Sequence, residues 1–348
     1  MVASNITVWT PVFNDEKLLR NCMDSVISQT VRPLEYLVFD DASKDSSLAV
    51  ARAYAEKHPW IHVFPNEKNG GAIANFNRML DHAKGEYIYC VASDDTSYPE
   101  TLGLLSEVIE RWPEASLVSG EMTVRSPEGL ILGTEKVQAW EKIAFHPPRE
   151  CLEEYFLKEP ANHSVSAATA LRKSSVLSAG RYRSELGHWS DSFVNRYIAL
   201  KEGMVYIPRP LHNWTTMPGS LSGSQLTNPW KSLDIISRAA YLMRSDQFRD
   251  IFPEEFVRYF EKDYRDYIIN PIIDGYVFKL QQRNQQFFDI ISGKSASDRF
   301  LGKLFTLFLK LEDQFFTRRI RKYSKDLRNY SGDISCYSHK AEKKCAGS

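Results

Sequence analysis

Four carboxylates in the first third of the chain have the spacing of a cation site at the edge of a sheet. Asp40 and Asp41 come directly after one short apolar run, and Asp94 and Asp95 come after another. If both runs are parallel strands of one sheet, their carboxyl ends share an edge and the four side chains lie close together. Their mutual repulsion then requires a cation or a donor-rich ligand. A hard divalent ion that bridges one or two carboxylates to phosphate oxygens is the simplest such partner.

Two more polar segments follow predicted strands at the same edge. Thr10-Pro-Val-Phe-Asn14 follows the first strand, and Asn69-Gly-Gly71 follows the third. Taken singly, each segment is typical of a turn or a helix cap, as is Asp40-Asp-Ala-Ser-Lys-Asp45. Their recurrence at successive strand ends favours one binding site over several unrelated turns. We call the edge of the sheet where these strand ends meet the rim.

The elements that would position these residues alternate along the chain. Short β-like runs alternate with helical patterns, which predicts βαβ units and a parallel sheet. The predicted strands cover residues 6–10, 34–39, 61–64, 86–91 and 116–119, and the predicted helices cover residues 16–28, 47–57, 72–83 and 99–111. Further on, the patterns predict a turn at 126–129, strands at 166–171 and 204–207, and helices at 190–200, 234–244, 254–267 and 277–291.

The ordered set of motifs resembles one enzyme family. Thr-Pro-Val-Phe-Asn, Phe-Asp-Asp-Ala-Ser-Lys-Asp, Asn-Gly-Gly, Ala-Lys-Gly-Glu-Tyr-Ile and Ser-Asp-Asp follow one another as in the inverting glycosyltransferases of family 2. The resemblance covers residues 5–222 and implies an α/β fold of the GT-A type, a Rossmann-like, mostly parallel sheet flanked by helices. We predict a catalytic domain at 1–222, with the nucleotide-sugar side in 1–120 and the acceptor side in 121–222. A helical C-terminal region at 223–330 and a tail at 331–348 would follow.

The resemblance implies a donor site for a nucleotide sugar. By it, Phe13 stacks beside the base, Asp41 accepts a hydrogen bond from a uracil ring, which favours UDP over GDP, and Asp94 faces the ribose or the sugar. Asp95 takes the place of a carboxylate that binds Mn²⁺ or Mg²⁺ on the diphosphate. The predicted nucleotide-binding residues are Pro11, Phe13, Asn14, Asp41, Asn69 and Asp94, and the predicted metal-binding residues are Asp95 and His212. One departure is Ala92, where many relatives carry a further Asp.

The resemblance also implies a catalytic base. Gly187-His-Trp-Ser-Asp191 opens a predicted helix where relatives carry a Glu-Asp pair or a single Asp, so Asp191 would deprotonate the acceptor hydroxyl. One in-line displacement at the anomeric carbon then inverts the stereochemistry through an oxocarbenium-like transition state. By itself, Asp191 is also typical of a carboxylate that a helix macrodipole favours. His212 approaches the diphosphate or the metal in one interpretation and is a structural histidine in the other.

Two other functions fit parts of the pattern. A sugar nucleotidyltransferase has a similar sheet but needs a Gly-rich, basic phosphate loop, which residues 10–17 lack. A non-catalytic nucleotide-sugar-binding scaffold protein with the same fold would carry the same motifs. A Rossmann dehydrogenase is disfavoured because no GxGxxG follows the first strand. The absence of Gln-x-x-Arg-Trp, which is typical of processive polysaccharide synthases, favours transfer of a single sugar to a saccharide or a lipid-linked glycan.

Composition excludes several classes. The 44 Lys and Arg residues balance 44 Asp and Glu residues, so there is no global nucleic-acid signature. The five scattered cysteines form no CxxC pair, which predicts a reducing compartment, and the chain shows no signal peptide or long apolar run, which predicts a cytoplasmic protein. Residues 300–325 combine a Phe- and Leu-rich face with a basic end. That pattern fits either peripheral contact with the inner face of an anionic membrane or packing on protein or on a dimer partner.

Overall fold

The computed structural model describes residues 4–160, 166–217 and 229–268. All of them belong to one unit, Met1–Asn270, and a second unit, Pro271–Ser348, lies outside the described residues. The predicted helix at 277–291 and the segment at 300–325 fall in that second unit, and their roles stay predictions, as do the domain boundaries at 222 and 330. Within the described ranges, no helix is both long and apolar enough to cross a membrane.

A ten-stranded mixed sheet forms the centre of the described unit. Its strands are β1 Ile6–Val12, β2 Glu35–Asp40, β3 Ile61–Pro65, β4 Tyr87–Cys90, β5 Thr96–Ser97, β6 Leu117–Arg125, β7 Ile131–Glu135, β8 Ala144–His146, β9 Thr169–Arg172 and β10 Met204–Thr215. The helices are α1 Leu19–Ile27, α2 Ser47–Ala55, α3 Ala72–His82, α4 Thr101–Arg111, α5 Pro148–Glu150, α6 Lys173–Ser178, α7 Ser190–Glu202 and α8 Pro229–Met243. A π-helical turn at Cys151–Phe156, 3₁₀ turns at Ser166–Ala168 and Ser184–Trp189, and a helix over residues 254–268 complete the described elements.

The first four strands form a parallel part of the sheet, as the alternating pattern predicts, and β6 and β10 form a second parallel pair. β1 pairs in parallel with β2 on one side and with β4 on the other, and β3 continues the sheet beyond β2. β9 then runs antiparallel to both β4 and β6, and the strand order is β3-β2-β1-β4-β9-β6-β10-β5. Because β1 to β4 run in the same direction, the loops that follow them reach one edge of the sheet.

β6 is longer than the sequence predicts. It continues past residue 119 to Arg125, and the predicted turn follows it, with the Gly129 N–H donating to the Ser126 carbonyl at 2.9 Å. Gly120 lies inside the strand against β10, where a Cβ would come within 2.5 Å of Leu211 Cδ1. Glycine at this position therefore marks a close approach of two paired strands rather than the end of a strand.

β10 is also longer than predicted, because it continues through two prolines. The prediction ends at residue 207 since Pro208 and Pro210 cannot donate to a sheet ladder. In the structure the register against β6 shifts on both sides of Pro210, and these bulges absorb the missing N–H groups. The strand then resumes and brings His212 opposite Ser97 of β5.

Apolar side chains pack on both faces of the sheet, as strand alternation requires. On β1, Val8 packs in the cluster that includes α1, α2 and α4, and Trp9 packs in the cluster that includes α3, α7, α8 and the 254–268 helix. In the second cluster the rings of Trp189 and Phe260 lie 4.5 Å apart, and Phe260 is fully buried. Each such buried aromatic contributes about 1.5–3 kcal/mol, so the residues leading into α7 are held firmly.

Candidate functional site

The loops after β1 and β2 are bonded to each other through backbone amides. Asn14 has a φ of 58°, a left-handed conformation that asparagine tolerates better than most residues. Its Oδ1 accepts the Lys44 N–H at 2.7 Å, and its own N–H donates to Ser43 Oγ at 3.0 Å. The neighbouring Phe13 is 46% exposed, which leaves a ring at the rim that can stack on a planar ligand.

Two acidic side chains extend this connection to the start of both helices. The Asp15 N–H donates to Ser47 Oγ at 2.9 Å, and the Glu16 N–H donates to Asp45 Oδ2 at 3.0 Å. In return, the Ser46 N–H donates to Glu16 Oε2 at 2.8 Å. The two loops thus form one framework on the β1–β2 side of the rim.

Asp41 lies in a nest of three donors at the end of β2. Its Oδ1 accepts the Gly70 N–H at 2.8 Å and the Asn66 amide at 2.7 Å, and its Oδ2 accepts the Gly71 N–H at 2.8 Å. Burial alone raises the pKa of Asp41, but these hydrogen bonds outweigh it, so the pKa lies below its usual value. Asp41 is therefore an ionised and oriented acceptor, with lone pairs left for a ligand N–H.

The Asp41 nest depends on the backbone conformation of Gly71. Its φ of 82° is one that a residue with a Cβ rarely adopts. We expect Gly71→Ala to lower the free energy of unfolding by about 1–2 kcal/mol in urea titrations. Gly70→Ala is the matched control, because Gly70 has no such φ and a new Cβ would meet Ala74 at an ordinary 3.4 Å, and its effect should stay within about 0.5 kcal/mol. Equal losses in the two variants contradict this explanation.

The acidic pair Asp94 and Asp95 follows β4 and brings two adjacent carboxylates to this edge of the sheet. Asp94 is half-buried and Asp95 is 3% exposed. Burial, followed by repulsion from Asp95 and Asp15, raises the pKa of Asp94 to about 7. The Ser93 hydroxyl donates to the Asp15 carboxylate and ties this loop to the one after β1. A cation at Asp94 and Asp95 would relieve the repulsion that raises the pKa.

The raised pKa of Asp94 predicts a dependence of stability on pH. Since the folded protein holds this proton more tightly than the unfolded chain, stability without ligand falls as pH rises from about 4 to about 7 and is level above. We expect Asp94→Asn to remove this loss and to be about 1–3 kcal/mol more stable than wild type near pH 8, and indistinguishable near pH 4. Urea unfolding at the two pH values measures the difference. A gain that is the same at both pH values contradicts the assignment to Asp94.

Two residues of β10 contact the Asp95 carboxylate. Its Oδ1 accepts the Thr215 N–H at 2.8 Å, and its Oδ2 lies 3.0 Å from His212 Nε2. The other nitrogen of His212, Nδ1, lies 3.0 Å from the Tyr89 hydroxyl, and His212 is 0% exposed. Both ring nitrogens therefore have protein partners, and this geometry differs from the direct contact with a metal that the resemblance implied for His212.

Asp191 lies in the first turn of α7. It is half-buried, and its Oδ1 accepts the Ser192 N–H at 2.7 Å. Burial raises the pKa of Cys90, the last residue of β4, and the charges of Asp95, Asp191 and Asp94 all raise it further. Asp191 and the acidic pair therefore lie within electrostatic reach of the same thiol, although about a hundred residues separate them along the chain.

The donor set fits a hard divalent cation that takes only part of its ligands from the protein. Asp94 and Asp95 offer carboxylate oxygens, which suit Mg²⁺ or Mn²⁺. Among the described residues, no group of three or more His, Cys, Asp or Glu is placed to hold a metal ion. Phosphate oxygens and water would have to complete the coordination, which is the usual arrangement for Mg²⁺ and not for a closed structural zinc site.

The other predicted donor-site residues have different positions. Pro11 lies inside β1 opposite Phe39 and shapes the strand rather than the loop. Asn69 is exposed, and the contact with Asp41 comes instead from Asn66, which the sequence analysis did not single out. Asn66 is the first polar residue after β3, so the rule that places function after strand ends could have found it.

Solved structures share this fold. The crystal structure of S. aureus TarS 1–349 in complex with UDP-GlcNAc matches with a TM-score of 0.56 at 19% identity, over 69% of this chain and 67% of that one. The mannosyltransferase PcManGT from Pyrobaculum calidifontis, in complex with GDP-Man and Mn²⁺, matches with a TM-score of 0.52 at 15% identity, over 95% of this chain and 87% of that one. The chain therefore has the GT-A fold of these structures.

The sequence comparisons give the family. Residues 7–178 match the sequence model of Glycosyl transferase family 2, and the chain carries a glycosyltransferase domain of that family. Glycosyltransferase GlyA of Streptococcus pneumoniae is 29% identical over 64% of this chain and 32% of its own length. Poly(ribitol-phosphate) beta-glucosyltransferase of Bacillus spizizenii is 37% identical over 31% of this chain and 16% of its own length. The chain thus spans about a third or less of the length of these two relatives.

Proposed function

We propose that this chain is an inverting, metal-assisted glycosyltransferase that moves one sugar from a nucleotide-sugar donor, with UDP favoured, to a saccharide or a lipid-linked glycan. The observation that carries the proposal is that Asp94 and Asp95 follow β4 while Asp41, held by the Gly70 and Gly71 N–H groups, follows β2 at the same edge of the sheet. The charge of Asp191 also raises the pKa of Cys90, the last residue of β4. This arrangement supplies an acidic pair for a cation and a separate carboxylate for a base within one site. The nucleotide sugars bound in the solved structures of similar fold, UDP-GlcNAc and GDP-Man, support this class of donor.

The donor end of the site consists of Phe13 and Asp41. Phe13 presents a ring at the rim and stacks on the base, and the Asp41 carboxylate accepts the ring N–H of uracil. Cytosine has no N–H at that ring position, so a cytidine nucleotide leaves the carboxylate without a donor. This difference favours UDP over CMP as the bound nucleotide.

The transfer needs one base and one stabilised leaving group. Asp191 accepts the proton of the acceptor hydroxyl as its oxygen attacks the anomeric carbon, and the bond from that carbon to the diphosphate breaks in the same step. The new glycosidic bond forms on the face opposite the leaving group, so the configuration inverts. Asp94 and Asp95 would hold a divalent ion, and that ion would neutralise the charge that develops on the diphosphate.

A thermal-shift panel tests the proposal. UDP, GDP, dTDP and CMP are added with and without Mn²⁺ to wild type and to Asp95→Ala. A nucleotide at about 100 times its Kd should add about 2.7 kcal/mol of stability. We expect the largest shift with UDP and Mn²⁺, and its loss in Asp95→Ala. No shift of the wild-type protein with any nucleotide overturns the donor site and with it the proposed function.

A further inference from the structure

A buried series of polar side chains, linked by hydrogen bonds, ends at Asp95. The Ser97 Oγ lies 2.8 Å from the Tyr89 hydroxyl, the Tyr89 hydroxyl lies 3.0 Å from His212 Nδ1, and His212 Nε2 lies 3.0 Å from Asp95 Oδ2. All four residues are buried, with exposures of 6%, 1%, 0% and 3% in that order. The series joins β4, β5 and β10 at the side of the acidic pair that faces away from the rim.

The hydrogen-bond directions in this series follow from the groups involved. An ionised carboxylate only accepts, so His212 must donate to Asp95 through a proton on Nε2. In a neutral ring, Nδ1 is then an acceptor, and the Tyr89 hydroxyl donates to it. Tyr89 in turn accepts from the Ser97 hydroxyl, which leaves every member with a partner.

We propose that Tyr89 and His212 are positioning residues that fix the Asp95 carboxylate in the orientation in which it receives the divalent ion. The inference rests on the proposed function, since it assigns a role to residues around the same site. His212 acts on the ion through Asp95 and does not contact it. Residues that hydrogen-bond to a metal ligand commonly affect metal affinity, because they fix the rotamer and the basicity of that ligand.

The hydrogen bonds of Asp95 explain why its carboxylate depends on positioning residues. Both carboxylate oxygens are already engaged by β10, Oδ2 by His212 and Oδ1 by the Thr215 N–H at 2.8 Å. These two bonds fix the plane of the carboxylate, so the remaining lone pairs point in set directions. Without the bond from His212, the carboxylate can rotate about its terminal torsion, which is intrinsically broad.

A pair of amide substitutions separates the two hydrogen bonds of His212. In His212→Gln the side-chain amide nitrogen lies about as far from the backbone as Nε2 of the histidine ring, so it can donate to Asp95. In His212→Asn the shorter side chain brings its amide only as far from the backbone as Nδ1, so it can hydrogen-bond to Tyr89 but cannot reach Asp95. Mn²⁺ is titrated into the full chain in the presence of UDP, and free Mn²⁺ is followed by electron paramagnetic resonance. We expect His212→Asn to weaken the Mn²⁺ Kd by about 10–100-fold and His212→Gln to stay within about threefold of wild type.

Binding of UDP without metal and urea unfolding are measured on the same variants. A positioning role moves the Mn²⁺ Kd in His212→Asn and leaves metal-free UDP binding unchanged. If His212→Asn binds Mn²⁺ as tightly as wild type, or both variants weaken it equally, the inference is wrong while the proposed function stands. If wild type binds UDP but no Mn²⁺, the metal of the proposed function is wrong and the inference falls with it.

Tyr89→Phe tests the outer bond without touching the histidine. It removes only the hydroxyl, and we expect it to weaken the Mn²⁺ Kd by up to about tenfold. Nitrogen NMR of labelled protein without metal gives a second readout. In wild type we expect His212 to carry its proton on Nε2, and in Tyr89→Phe we expect a mixture of tautomers. A wild-type proton on Nδ1 overturns the inference even if the histidine variants do not fold.

Discussion

An Asp191→Asn variant is expected to lose about 10²- to 10⁴-fold in kcat and to bind UDP with wild-type affinity. The reason is that the amide keeps the size of Asp191 and can still accept the Ser192 N–H but cannot take a proton from the acceptor hydroxyl. Donor binding should not change, because its groups lie on the loops after β1, β2 and β4. Turnover of a nucleotide sugar with saturating acceptor measures kcat, and isothermal titration of UDP with Mn²⁺ measures binding.

The matched control for this variant is Glu185→Gln. Glu185 is an acidic residue of the 3₁₀ turn before α7, half exposed and 3.4 Å from the Arg183 guanidinium. The two variants remove one negative charge each from positions six residues apart, and only Asp191 is proposed as the base. Wild-type kcat in Asp191→Asn, or an equal loss in both variants, shows that the base lies elsewhere.

An Asp41→Asn variant is expected to raise the UDP dissociation constant by about 10–100-fold and to change kcat at saturating donor by only a few-fold. One carboxylate oxygen becomes an NH₂ group, which cannot accept a glycine N–H or the ring N–H of uracil. A hydrogen bond to a charged group contributes about 1.5–3 kcal/mol, and this loss appears in binding rather than in the chemical step. Steady-state kinetics over a range of donor concentrations separates the two effects.

Asp81→Asn serves as the control for the donor site. Asp81 is a surface carboxylate on α3 that pairs with Arg181 at 2.6 Å, so its replacement also removes one charged hydrogen bond. We expect its UDP dissociation constant to stay within about twofold of wild type. If Asp41→Asn lowers kcat at saturating donor as much as it weakens binding, Asp41 contributes to the transition state rather than to donor recognition.

The parallel half of the fold could be predicted from the sequence because its signals are local. Apolar strands alternate with amphipathic helices, and each strand end is marked by polar residues or glycine. The second half could not be predicted as well, because its strands contain residues that normally interrupt strands. Gly120 and Pro210 are examples, and what allows them there is a neighbouring strand that is distant in the sequence.

The candidate site divides in the same way. Asp41 and the acidic pair could be predicted because Asp41 directly follows β2 and the pair lies shortly after β4, so the spacing places them at one edge. The partners of Asp95 were not found, because His212 lies 117 residues away and Thr215 contributes only a backbone N–H. Such contacts depend on the register of β10, and no local spacing encodes that register.

The bonds between the loops after β1 and β2 have a consequence for how donor preference can change. Five hydrogen bonds link them, and in each a backbone N–H of one loop meets a side chain of the other. A chimera that imports only residues 13–16 from a relative with another donor loses these bonds unless the second loop matches. A chimera that imports residues 13–47 as a block keeps them. We therefore expect a new nucleotide preference to be easier to graft as a block than to build by single substitutions.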